Sequence, residues 1–149
     1  MERVADYPRP PSAAVDGRRV RVIHGGRTIA DTTRAVRVCE TASPPTFYVP
    51  IGDVTPGELE RAETTSWCEW KGEATYWSLR DARNAAWGYE SPKPEYEILR
   101  DHVAFYASRV DECWVGEEQA TPQPGSFYGG WITSEIEGPF KGEPGTLHW

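Results

Sequence analysis

Glycine and proline cut this chain into pieces too short for a long helix. Between them stand brief runs of β-forming residues such as Val20-Arg21-Val22-Ile23, Thr46-Phe47-Tyr48-Val49 and His102-Val103-Ala104-Phe105-Tyr106-Ala107. No long segment carries the 3.6-residue apolar period of an amphipathic helix, and strands do not alternate with long helices. The pattern predicts an all-β fold with minor short helices, arranged as a compact antiparallel two-sheet pair or a small barrel-like domain.

The local punctuation gives the element order. Residues 20–23 and 28–30 flank Gly25-Gly26 and read as a hairpin. Residues 35–40 and 46–50 read as strands, the second ending at Pro50. Thr55-Pro56-Gly57 suits a short helical start, with Thr as cap and Pro in the first position. Residues 74–79 and 85–89 form two strands paired across a turn at 81–84. Residues 94–100 suit a short helix with Glu95 and Glu97 near its positive end, and 102–107 read as a strand.

Three regions follow: a flexible Pro-containing arm over 1–17, a core domain over 18–113, and a Gly/Pro-rich extension over 114–149. The extension holds seven Gly, four Pro, no Arg and one Lys, with residues 127–133 as its strand-like piece. Its Trp131, Phe140 and Trp149 are more apolar mass than a free tail carries, so it is expected to pack on the core.

Charge narrows the partners. The net charge is −7, and the acids concentrate after Arg61, fifteen against seven basic residues. Nucleic-acid binding runs on clustered Lys and Arg, so no nucleic-acid partner is expected. No stretch approaches the roughly 20 apolar residues of a membrane helix, and the start has no signal-peptide core. These features point to a cytoplasmic protein with no membrane partner. Three cysteines, Cys39, Cys68 and Cys113, fit a reducing compartment. None stands as C-x-x-C, so no metal site is expected, although Cys39, Cys68, Cys113 and His102 could be combined on paper. His24, His102 and His148 are widely spaced, no phosphate loop follows Gly25-Gly26, and no G-x-S-x-G is present. No cofactor is implied.

The segment Trp67-Cys68-Glu69-Trp70-Lys71-Gly72 is the chemical centre of interest. Lys71 is one of three lysines, and Trp70-Lys71-Gly72-Glu73 is matched in kind by Phe140-Lys141-Gly142-Glu143. The match suggests two similar turns, each presenting a lysine beside an aromatic. Walls of Trp70, Trp77, Trp87 and Tyr89, capped by Tyr48, would form a pocket for a small molecule, with Lys71 and Glu40 as its polar contacts. Desolvation there would lower the Lys71 pKa and make it a base or nucleophile, and Cys68 next to Lys71 is an alternative nucleophile for a hydrolase or transferase. The plainer alternative is a lysine stem lying on an aromatic and pairing with Glu40 or Glu69. A third reading makes the extension an interaction surface, or the means of forming a homodimer.

Several of these pieces together resemble a known pattern: Cys39-Glu40-Thr41, Tyr48-Val49-Pro50, Cys68-Glu69-Trp70-Lys71-Gly72-Glu73-Ala74-Thr75-Tyr76-Trp77, Ala86-Trp87-Gly88-Tyr89 and Val103-Ala104-Phe105-Tyr106. They are similar to the domain-of-unknown-function family numbered 427, over residues 20–112. The resemblance implies an all-β fold akin to the two-sheet, tent-like arrangement of zinc-ribbon-derived binding domains. Lys71 stands where a C-x-x-C knuckle would carry its second cysteine, which abolishes such a metal site. The family also bears a nucleotidyltransferase-like label, but no Asp-x-Asp pair beside a Gly-Ser turn occurs here.

Overall fold

Alternation along each strand decides which residues share a layer. In the computed structural model, which describes residues 1–125, 127–143 and 145–146, the strands run β1 (Glu2–Arg3), β2 (Ser12–Asp16), β3 (Val20–His24), β4 (Arg27–Thr32), β5 (Ala35–Cys39), β6 (Thr46–Pro50), β7 (Glu60–Cys68), β8 (Gly72–Leu79), β9 (Ala82–Gly88), β10 (His102–Phe105), β11 (Glu112–Val115), β12 (Glu118–Gln119), β13 (Thr121–Pro122), β14 (Trp131–Ile132) and β15 (Ile136–Glu137). Short 3-10 segments occupy Val4–Asp6, Ile51–Asp53 and Pro94–Leu99.

A seven-stranded antiparallel sheet has the order β2-β5-β6-β10-β9-β8-β7. A four-stranded antiparallel sheet has the order β12-β11-β3-β4. Neither closes into a barrel, so the two-sheet alternative is the one realised. The glycine hairpin joins β3 to β4, with Gly25 at φ +59° and Gly26 at φ +73°, the backbone a tight primed turn requires.

The layer between the sheets is apolar. Val20 and Val22 of β3, Ile29 of β4 and Cys113 and Val115 of β11 meet Phe47 and Val49 of β6, Val103 and Phe105 of β10 and Leu79 of β8. Residues at the alternate positions form a second cluster on the opposite face of the large sheet: Tyr48, Ala104, Tyr76, Trp87 and Tyr106. A strand has a side-chain period of two, so one buried layer forces a second set of large side chains outward. That outer face holds the candidate site.

Four features depart from the sequence expectation. Residues 12–16, assigned to a flexible arm, are edge strand β2, paired with β5 from Ser12↔Cys39 to Asp16↔Ala35, and Val4 is fully buried. The prolines that suggested an arm stop at Pro11, leaving every N–H from Ser12 onward free to pair. At the other edge lies β7, whose residues are mostly exposed and carry no apolar alternation to announce a strand. The segment at 55–59 is a turn rather than a helix: Thr55 donates its hydroxyl to the Thr28 carbonyl at 2.7 Å instead of capping, and Gly57 sits at φ +84°. Within 127–133 only Trp131–Ile132 is strand, paired with β13.

The extension is fastened to the core. β12 lengthens the small sheet and β15 pairs in parallel with β1. Trp131 is buried 5.3 Å from the Phe47 ring and donates its indole N–H to the Phe105 carbonyl at 2.8 Å. Phe140 is half-buried; Trp149 and His148 lie outside the described residues. No helix among the described residues is long and apolar enough to cross a membrane.

Candidate functional site

Register brings the aromatic residues of the outer face together. Ala104 pairs with Tyr48 on one side and with Trp87 on the other, and Trp87 pairs with Tyr76. The small Ala104 lets the flanking rings converge, and Trp87 Nε1 donates to Tyr48 Oη at 3.2 Å. Trp87 and Tyr106 pack at 4.5 Å, and Tyr48 meets Trp87 edge-on at 6.0 Å. The Tyr76 hydroxyl lies 3.0 Å from Ser66 Oγ of β7. Burial pushes the phenols of Tyr48, Tyr89 and Tyr106 up, so these groups are neutral hydrogen-bonding groups near neutral pH.

These rings wall a cavity of about 230 Å³. Lys71 reaches it from the tight turn joining β7 to β8 and is only 6% exposed. Its ammonium donates to Cys68 Sγ at 3.4 Å and lies 5.8 Å from the Tyr89 ring centre and 6.0 Å from that of Tyr96. Burial works against the charged form and the nearby Glu40 carboxylate favours it; the balance lies above the ordinary lysine value. Held as an ammonium, Lys71 offers charge rather than the lone pair of a base. This reverses the lowered pKa expected from desolvation alone. Among the described residues it forms no ion pair with Glu40 or Glu69; Lys93 takes the Glu69 carbonyl at 2.6 Å.

The extension supplies the roof. Gln123, Phe127, Tyr128, Gly129 and Gly130 all line the cavity. Gln123 Oε1 accepts from the Gly130 N–H at 3.0 Å, and its Nε2 donates to the Lys141 carbonyl at 2.8 Å. Gly129 lies flat on Trp87: a Cβ there would fall 2.3 Å from Cη2 of the indole. The two Lys-Gly motifs share a left-handed glycine but sit differently: Lys71 lies in the hairpin turn between β7 and β8, whereas the other turn closes from the Glu143 N–H to the Phe140 carbonyl. Gly72 and Gly142 have φ of +112° and +102°, and Lys141 Nζ stands 4.9 Å from the Tyr128 ring.

Of the residues singled out in the sequence, Lys71, Trp87, Tyr89, Glu40, Tyr48 and Cys68 line the cavity together. Trp70 and Trp77 do not. Trp77 follows Tyr76 by one position and so packs on the inter-sheet face, with the Arg61 guanidinium 6.0 Å from its ring centre. Trp70 packs against the outer cluster from the turn without reaching the cavity wall. Tyr76, Tyr106 and the roof residues were missed. Tyr76 stands in a strand, and Tyr106 directly after one, that the sequence does reveal, and only their face was undetermined. The signal for the roof was Phe127-Tyr128-Gly129-Gly130, aromatics beside two residues without side chains. Cys39 and Cys113 are both buried, and no group of three His, Cys, Asp or Glu able to hold a metal occurs among the described residues.

A comparison with curated proteins finds no match. The family model described as a domain of unknown function (DUF427) matches residues 13–116. The match takes in the sheet that walls the cavity, and the roof formed by Gln123 and residues 127–130 falls outside it. With well over half of its length matched, the chain belongs to the DUF427 family.

Proposed function

We propose that this chain is a small-molecule binding domain whose ligand occupies the aromatic cavity beside Lys71. The observation that carries this reading is a cavity of about 230 Å³ between the sheet's aromatic face and the extension, with one buried cation in its wall. Ligand sites are concave and mostly apolar, with a few placed polar groups, and usually span roughly 300–1,000 Å³. This cavity lies near the small end of that range, suited to one ring or a fused pair. Tyr48, Tyr89 and Trp87 supply flat apolar surface, and Lys71 and Glu40 supply polarity.

The test is a thermal-shift and tryptophan-fluorescence screen of metabolites against the full chain. A ligand at a hundredfold excess over its Kd adds about 2.7 kcal/mol, which raises Tm by roughly 5–10 °C in a domain of this size. Thiol labelling locates the binding. Cys68 is half-exposed in the cavity wall, whereas Cys39 and Cys113 are buried and burial pushes both thiols up. A true ligand slows labelling of Cys68. Hits that leave this labelling unchanged, or a screen without hits, overturn the reading.

A further inference from the structure

Lys71 is a buried ammonium with far too few acceptors. It carries three donors. Among the described residues its one hydrogen-bond acceptor is Cys68 Sγ at 3.4 Å, a weak one, helped by the Tyr89 and Tyr96 rings. Isolated charges are costly to bury, and buried ones are ordinarily matched by an opposite charge or full hydrogen bonding. Glu40 lines the same cavity without an ion pair to Lys71, and no hydrogen bond to its carboxylate occurs among the described residues. The cavity therefore presents one cation and one anion, separate from each other, on walls that are otherwise aromatic and neutral.

Resting on the small-molecule reading above, we infer that the ligand is a planar aromatic monocarboxylate, its carboxylate on Lys71 Nζ and its ring against Trp87 and Tyr89. A carboxylate supplies the acceptors that Lys71 lacks, through charge-assisted hydrogen bonds. A second negative charge on the ligand would find no further cation, since among the described residues Lys71 is the only Lys or Arg lining the cavity, and it would face Glu40. That excludes polyphosphates, as does the volume. Glu40 instead accepts from a hydroxyl or amino substituent of the ring. The roof that closes over this ring lies beyond the family match, so Tyr128 and Gly129 belong to this chain's own choice of ligand.

Calorimetric titration of the full chain with benzoate, hydroxybenzoate and indole carboxylate, each against its carboxamide, tests the inference. The acids bind about 10- to 100-fold tighter than the amides, the range of a hydrogen bond to a charged group. Lys71→Met abolishes that preference, so that acid and amide bind within about twofold of each other, with circular dichroism confirming the fold. Glu40→Gln, a wall residue whose loss leaves Lys71 in place, tightens binding of the unsubstituted acids. Amides or amines binding as well as the acids to the unmodified chain overturn the carboxylate assignment while leaving a small-molecule site. Failure of every compound, charged or neutral, overturns the aromatic ligand assignment, while the metabolite screen with Cys68 labelling decides the small-molecule reading itself.

Discussion

Gly129→Ala tests whether the extension is seated on the sheet's aromatic face. The added Cβ would stand 2.3 Å from Cη2 and 2.5 Å from Cζ3 of Trp87, and 3.2 Å from Cδ1 of Tyr106. Carbon atoms settle at about 3.5–4.0 Å, so the overlap exceeds roughly 1 Å. Trp87 cannot yield: it is buried, its Nε1 is bonded to Tyr48, and its ring lies 4.5 Å from Tyr106. The backbone must lift instead, which strains the Gly130 N–H to Gln123 bond at 3.0 Å and the Trp131 N–H to Pro45 bond at 2.8 Å. Overpacking costs about 1–3 kcal/mol, and a weakened hydrogen bond adds up to about 1 kcal/mol. Taking about 2 kcal/mol and a urea slope of about 2 kcal/mol/M, the midpoint falls by about 1 M with the slope unchanged. Gly17→Ala is the control, because a Cβ there meets nothing within 4 Å; it changes stability by less than about 0.5 kcal/mol. Equal midpoints for the two variants, with unaltered tryptophan emission, would refute the seated roof.

Two further outcomes follow from the packing and the charges. Asp53 accepts from Thr32 Oγ1 at 2.6 Å and from Arg34 at 3.1 Å, which hold its carboxyl below the ordinary aspartate value. Its contribution is therefore complete above the unfolded value of about 3.9 and is lost as pH falls through the folded value. Asp53→Asn is destabilising near neutral pH, and the gap to the unmodified chain closes in strong acid; a gap independent of pH contradicts this. Trp131→Phe removes the donor to the buried Phe105 carbonyl and leaves a void beside Phe47. Chemical denaturation shows a loss of about 1–3 kcal/mol, and an unchanged midpoint shows that the extension is not anchored there.

Much of the site was legible at the level of residue type. Lys71, Trp87, Tyr89, Tyr48, Glu40 and Cys68 stand out because charged, sulfur and large aromatic side chains are uncommon neighbours, and the structure gathers all six. Trp70 and Trp77 were equally conspicuous and lie off the cavity wall. Tyr76-Trp77 is the instructive pair. Both are bulky β formers in one strand, and one step along the strand reverses the face. Composition cannot say which face meets the second sheet. The extension's role was equally hidden, because Gly129 matters through the side chain it lacks, against a ring 42 residues earlier in the chain.

The sequence by itself determined the antiparallel β character, the Gly25-Gly26 hairpin and the lysine turn at 69–71. These are local consequences of β propensity, glycine backbone freedom and proline placement. The tertiary structure decided what those local rules leave open. The pairing of β12-β11-β3-β4 fixed one face of the large sheet as core and so turned Tyr48, Tyr76, Trp87 and Tyr106 to the other. Gln123 and residues 127–130 then closed over that face and made it a cavity. The setting of Lys71 was a tertiary outcome as well: folding buries its ammonium in an aromatic wall and brings Glu40 near it.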